Sequence, residues 1–164
     1  MSHQIILGID PGKAETGWGV VKASTPRRGR NKMEYIDCGT VRTSKDLPDT
    51  ERLRLIFNEI SSLIRQYKPQ VMAVETLYFF KNRKTAIGVA QCRGVVLLAG
   101  GRKKVPVQDF TPLQAKMAVT GYGRASKKQV QEMVKKLLKM EELPKPSHAA
   151  DALAMAICAG RTNK

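Results

Sequence analysis

The sequence predicts an α/β fold: a mixed five-stranded sheet, its first three strands antiparallel, flanked by helices. Three observations predict it. Three short strand-like runs follow one another with tight turns between them, as in an antiparallel meander. Helical and strand-like patterns then alternate twice. The last third of the chain reads as helix throughout.

The elements follow in order. Ile5-Ile6-Leu7-Gly8-Ile9 is apolar and too short for a helix, so it reads as a buried strand stopped by Asp10-Pro11-Gly12. Gly17 to Val21 reads as the second strand, with Lys13 to Thr16 as the connection. Ser24 to Lys32 is polar, carries Arg27, Arg28, Arg30 and Lys32, and reads as a loop or hairpin tip. Met33 to Thr43 reads as the third strand. Leu53, Ile56, Ile60, Leu63, Ile64 and Tyr67 recur at the three- and four-residue steps of an amphipathic helix, which Pro69 ends. Val71 to Val74 is the fourth strand, with Glu75 at its C-terminal end. A second helix runs from about Lys84 to Leu98. Its Gly88, Ala90 and Gly94 permit close packing, at a cost of up to ~1 kcal/mol per Gly. Val105 to Phe110 is the fifth strand.

Helix signals dominate from there. Thr111-Pro112-Leu113-Gln114 has a capping Thr, Pro at the first helical position and Gln three after the cap. Ser126-Lys127-Lys128-Gln129 repeats the capping box, and Gly121-Tyr122-Gly123 separates the two helices. Pro144 and Pro146 break the chain before Ser147, which is placed to cap a last helix from His148 to about Ala159. With no internal repeat or linker, residues 1–164 are expected to form a single domain.

Composition narrows the function. The chain has 164 residues, 42% hydrophobic and 26% charged, which excludes a disordered basic tail. A chain this long buries roughly 70% of its unfolded surface. No apolar run approaches the ~20 residues of a membrane span. The start, Met1 to Gln4, lacks signal-peptide features, so a cytoplasmic protein without membrane contact is expected. Cys38, Cys92 and Cys158 are odd in number and scattered, and no C-x-x-C pair suggests structural zinc. The 29 Lys+Arg against 14 Asp+Glu give a net charge of +15, a long-range attraction for polyanions, of which nucleic acid is the commonest.

Three acidic positions carry the chemistry. Asp10 ends the first strand and Glu75 the fourth; Asp151 lies in the first turns of the last helix, on the same helical face as His148. If the two strands are neighbours, both carboxylates emerge at one sheet end, and a helix across that end adds Asp151. Each alone has an ordinary explanation: a turn, a strand end, a helix dipole. Their joint placement carries the argument. Clustered carboxylates repel, and Mg2+ relieves them because it takes oxygen ligands and keeps waters and substrate phosphates in its shell. Two such ions about 4 Å apart can activate water and stabilise a leaving oxygen.

A second group lies just beyond Glu75. Tyr78-Phe79-Phe80 precede Lys81, Arg83 and Lys84. Rings beside cations suit unpaired bases, which stack at ~1–3 kcal/mol each. The same rings also suit the core at a helix entry. Lys116, Arg124, Lys127 and Lys128 flank the Gly121–Gly123 turn and complete the predicted nucleic-acid surface. Arg102-Lys103-Lys104 and the Arg27–Lys32 tip read as solvated surface.

Taken in order, these pieces resemble the RuvC family of bacterial Holliday junction resolvases, within the RNase H-like nuclease superfamily. The resemblance rests on G-I-D-P-G at 8–12, T-G-W-G at 16–19, A-V-E at 73–75, the aromatic-Lys-Asn segment 78–82, Q-x-R-G at 91–94 and H-A-A-D-A-L-A at 148–154. It implies an RNase H-like fold and a homodimer that binds four-way junction DNA. It also implies that two strands of like polarity are nicked symmetrically in recombination and repair, leaving 5′-phosphates and 3′-hydroxyls. It implies two Mg2+ per subunit, with Mn2+ substituting, and the RuvA–RuvB branch-migration complex as partner. The family's acidic quartet maps onto Asp10, Glu75, His148 and Asp151. The third position, often Asp, is His here, and its imidazole either ligates metal or acts as general base. The junction-core aromatic maps to Tyr78, with Phe79 beside it, and the DNA-contacting lysines map to Lys116 and Lys127. Two other readings stand beside this one. One is an RNase H-like nuclease acting on RNA or an RNA–DNA hybrid; the other is a non-catalytic junction-binding protein, which the acidic cluster disfavours.

Overall fold

The computed structural model describes residues 2–25, 31–76 and 83–162. Strands β1 (Ser2–Asp10), β2 (Glu15–Thr25) and β3 (Lys32–Arg42) form the expected antiparallel meander. Strand β4 (Val71–Glu75) pairs parallel with β1, and β5 (Val107–Phe110) parallel with β4. The sheet order is β3-β2-β1-β4-β5. Between and after the strands come α1 (Asp49–Tyr67), α2 (Arg83–Arg102), α3 (Pro112–Thr120), α4 (Lys127–Leu138) and α5 (Ser147–Thr162).

Side chains alternate across each strand, so one sheet builds two cores. Ile6, Val21, Val71 and Ala73 face a cluster with residues of α3, α4 and α5. Leu7, Ile9, Val20, Met72 and Val74 face α1 and α2. Strands β1 and β4 are covered on both faces, which is why they are continuous apolar runs. Both expected capping boxes are present: Gln114 N donates to Thr111 Oγ1 at 3.0 Å, and Gln129 N to Ser126 Oγ at 3.1 Å.

Several local expectations change: β2 already starts at Glu15, within the expected connection, and α2 runs on to Arg102 rather than ending near Leu98. Ser147 lies inside α5, because Ala149 N donates to Pro146 O and the first turn therefore starts earlier. Gly94 makes no close packing; a Cβ there meets nothing within 4 Å. The close approaches of α2 are at Gly88, against Lys13 Cε at 3.0 Å, and at Gly100, against Met72 Sδ at 3.0 Å. The inward stripe of α2 passes through Gly88, Cys92, Val96 and Ala99, and Gly94 is on the opposite side. Among the described residues, no helix is long and apolar enough to cross a membrane.

Candidate active site

Local pairing brings the acidic residues together. Asp10 is the last residue of β1, and the parallel register Ile9↔Val74 puts Glu75 at the same sheet end. Helix α5 then crosses β1 and β2 with its backbone almost touching theirs. A Cβ on Gly8 would stand 1.9 Å from Ala152 O, and one on Gly17 would stand 2.0 Å from His148 O. Only glycine admits that approach. It lowers the first turns of α5 onto the end of β1 and hangs His148 and Asp151 beside Asp10.

The resulting geometry is compact. His148 Nδ1 lies 2.9 Å from Asp10 Oδ2. Ligand atoms of Asp10, His148 and Asp151 all lie within 4.8 Å of one another. Glu75 meets Asp10 from the β4 side through a shared carboxyl hydrogen bond. Burial, the Asp10 charge and that hydrogen bond push the Glu75 carboxyl up to about 9, against a smaller opposing pull from Lys116. Burial and Asp10 raise Asp151 to about 6, while Lys127, His148 and Lys116 oppose them. The hydrogen bond to Asp10 raises His148, with added help from the charges of Asp10, Glu15 and Asp151.

This crowding is what a divalent cation relieves. Oxygen ligands about 2.1 Å from Mg2+ stand up to about 4.2 Å apart, so a small closure of the Asp10–His148–Asp151 set fits one ion. The donor set suits Mg2+ through its carboxylates, and its imidazole adds affinity for Mn2+.

A cavity of about 200 Å³ opens beside the carboxylates, lined by Glu75, Asp151, Lys116, Lys127, Pro112 and Ala115 among others. Lys116 projects from α3, and Lys127 opens α4 just after its capping Ser126. Two predicted DNA-binding lysines thus flank the acidic centre. Arg83 and Lys84 are exposed at the start of α2, and Arg124 and Lys128 are exposed outside that cavity. Tyr78, Phe79 and Lys81 lie outside the described residues, as does most of the Arg27–Lys32 tip.

Sequence reasoning missed the struts under the Asp10 turn. Thr16 is fully buried; its Oγ1 donates to Gly12 O at 2.7 Å and contacts Cys92 Sγ at 3.3 Å. Lys13 Nζ donates to Asp49 Oδ2 at 2.9 Å and to Gln91 Oε1 at 3.3 Å, tying the turn to α1 and α2. Thr16 had a signal, its place in T-G-W-G; Lys13 had none.

With this geometry in place, known proteins supply a comparison. The family of the crossover junction endodeoxyribonuclease RuvC is matched over residues 6–159. A crossover junction endodeoxyribonuclease RuvC from Fusobacterium nucleatum subsp. nucleatum is 49% identical over 152 residues, 93% of this chain and 77% of that protein. One from Halothermothrix orenii is 48% identical over 158 residues, 96% of this chain and 93% of that protein. The structure of T. thermophilus RuvC in complex with Holliday junction substrate matches with a TM-score of 0.88 at 34% identity, covering 97% of this chain and 94% of that one.

Proposed function

The chain belongs to the RuvC family of crossover junction endodeoxyribonucleases, and from that premise we propose that it resolves four-way DNA junctions at the Asp10–Glu75–His148–Asp151 centre. The fold is RNase H-like and the reaction is hydrolysis of DNA phosphodiester bonds, in recombination and repair. One observation carries the site assignment: Asp10, His148 and Asp151 present ligand atoms within 4.8 Å of one another on a protein of net charge +15.

Asp10, His148 and Asp151 would hold the cations, with Glu75 joining once its proton leaves. The group they would hold, proposed as two Mg2+ per subunit with Mn2+ substituting, would supply an activated water and charge neutralisation at the leaving oxygen. The chain's own residues prepare that chemistry. Lys116 and Lys127 pull down the carboxyls they face, favouring the ionised form that binds cations, and they are placed to receive the strand's phosphates. His148 is oriented through Nδ1 by Asp10, leaving Nε2 to take a proton or complete a ligand set. Tyr78 and Phe79, with Lys81, Arg83, Lys84, Arg124 and Lys128, are proposed to hold the junction around this centre.

Paired nicks require two centres. The outward side of α2 exposes Ile87 at 63% and Leu98 at 56%, with open space at Gly94 and Gly101. A second copy packing there would form a C2 dimer with one centre for each of two strands. The bacterial relatives support a cytoplasmic enzyme, and family membership alone supports the RuvA–RuvB complex as partner.

Cleavage of a mobile four-way junction, with nick positions mapped and Mg2+ and Mn2+ titrated, tests this reading. Paired nicks on strands of like polarity are expected. Cutting of an RNA–DNA hybrid in place of the junction would overturn it.

A further inference from the structure

Far from the acidic centre, α1 and α2 border an open cleft of about 220 Å³, lined by Phe57, Asn58, Ser61, Arg65, Arg102 and Lys103. Helix α1 begins at Asp49, which Lys13 ties to the Asp10 turn. Ser61 and Arg65 lie roughly 18 to 24 Å further along that helix. This cleft is therefore at the other end of the sheet from Asp10.

Its chemistry inverts that of the acidic centre. Three of six lining side chains are cations, and none is a carboxylate. Among the described residues, Arg65, Arg102 and Lys103 form no ion pair with an acidic side chain. The Arg102 guanidinium is steered over the Phe57 ring, 5.9 Å from its centroid, which holds the charge in place without neutralising it. Ser61 is only 7% exposed and lines the cleft floor. The negative ends of α2 are already consumed: Gly100 O accepts from Lys103 N and Val105 N, and Gly101 O from Lys104 N. The cleft thus offers three exposed cations, the Ser61 hydroxyl on its floor and an exposed Asn58 amide, with no lining carboxylate to balance them. Cations gathered on one cleft without an acidic partner attract an anion, and their N–H groups match its oxygens.

We propose that this α1–α2 cleft is a binding site for a phosphate-class oxyanion, distinct from the cleavage centre. Arg65 and Arg102 present planar forks suited to phosphate oxygens, Lys103 adds a point charge, and the Ser61 hydroxyl donates from the floor. Two sources carry this chemistry. One is a backbone phosphate from a junction arm reaching past the cleavage centre; the other is free phosphate or a phosphorylated small molecule. The proposal does not depend on cleavage and stands or falls separately from the assignment of Asp10.

The test uses the full chain in EDTA, so no strand is cut. Inorganic phosphate is titrated against chloride at matched ionic strength while backbone amide shifts of residues 57–65 and 102–104 are followed by NMR. Saturable shifts are expected in the wild type, weakened several-fold by Ser61→Ala and lost in Arg65→Gln/Lys103→Gln. In parallel, affinity for four-way junctions with short and long arms is measured against salt. If the source is DNA, the double variant lowers the log–log salt slope by about two on long arms only. If the source is a free phosphate, the slope stays and only the phosphate titration changes. Linear, unsaturable phosphate shifts together with an unchanged slope would overturn the proposal.

Discussion

Helices α5 and α2 are both rich in small residues, yet they behave oppositely. In α5, eleven residues are buried, and the sheet's own glycines bring its backbone into contact with β1 and β2. In α2, six are buried, and the outward side keeps Ile87 and Leu98 in solvent with open space at Gly94. The difference teaches where small residues act. Glycines on the sheet let α5 bring His148 and Asp151, both part-buried, against the end of β1, because no side chain has to fit between. Glycines on the outside of α2 leave a smooth apolar strip whose use needs another molecule.

The sharpest way to break this contrast is at Asp10. Asp10→Asn should lower junction cleavage in Mg2+ on the order of 10³-fold while leaving junction binding intact. Equal cutting by both proteins would show that α5 delivers no catalytic centre. Next comes the contact that lowers α5. Gly17→Ala puts a methyl where His148 O stands and should cost about 3 kcal/mol in chemical denaturation, with cleavage falling in parallel. The cleavage assay is repeated well below the midpoint, to separate a displaced His148 from an unfolded chain.

Acidity gives the third test. Glu75 is raised to about 9 and Asp151 to about 6, so the fold keeps protons that the unfolded chain has already lost. Their contribution is complete below about pH 4 and is lost as pH rises through 6 and then towards 9. In EDTA, Tm should therefore fall across that range, and Mg2+ should restore most at its upper end. Asp10→Asn removes the negative neighbour and should flatten the profile.

Smaller effects belong to α2. Leu98→Glu should convert a dimer to a monomer in sedimentation and uncouple the paired nicks, while shifting protomer stability by no more than about 0.5 kcal/mol. A monomeric wild type would remove the role assigned to this helix face. Smallest is Gly94→Ala, which in open space should add up to ~1 kcal/mol through helix propensity. A weakened dimer in that variant would place Gly94 inside the contact.

Much of this was legible beforehand because it is local. Strand runs, the Leu53–Tyr67 stripe and the Thr111 and Ser126 caps depend on residues within a turn or two of one another. Asp10 and Glu75 were placeable because a strand end is a local feature, and only the pairing of β1 with β4 had to be supposed. What escaped depends on distance. Lys13 looks like any turn lysine until α1 and α2 arrive with Asp49 and Gln91. Gly94 and Gly100 look alike until one faces solvent and the other Met72. Arg102 and Lys103 are exposed, as read, but their place beside Ser61 and Arg65, some forty residues earlier in the chain, escaped.

By itself, the sequence determined the order of elements, the capped starts of α3 and α4, the excess of positive charge and the residue types able to hold a cation. Apolar period, capping chemistry and charge are properties of neighbours, and neighbours are written in order. Only the tertiary structure decided how near α5 comes to the sheet, how strongly Glu75 and Asp151 resist ionisation, and which cations converge between α1 and α2. Those depend on burial and on distances between segments far apart in the chain, and neither exists until the two cores close around the sheet.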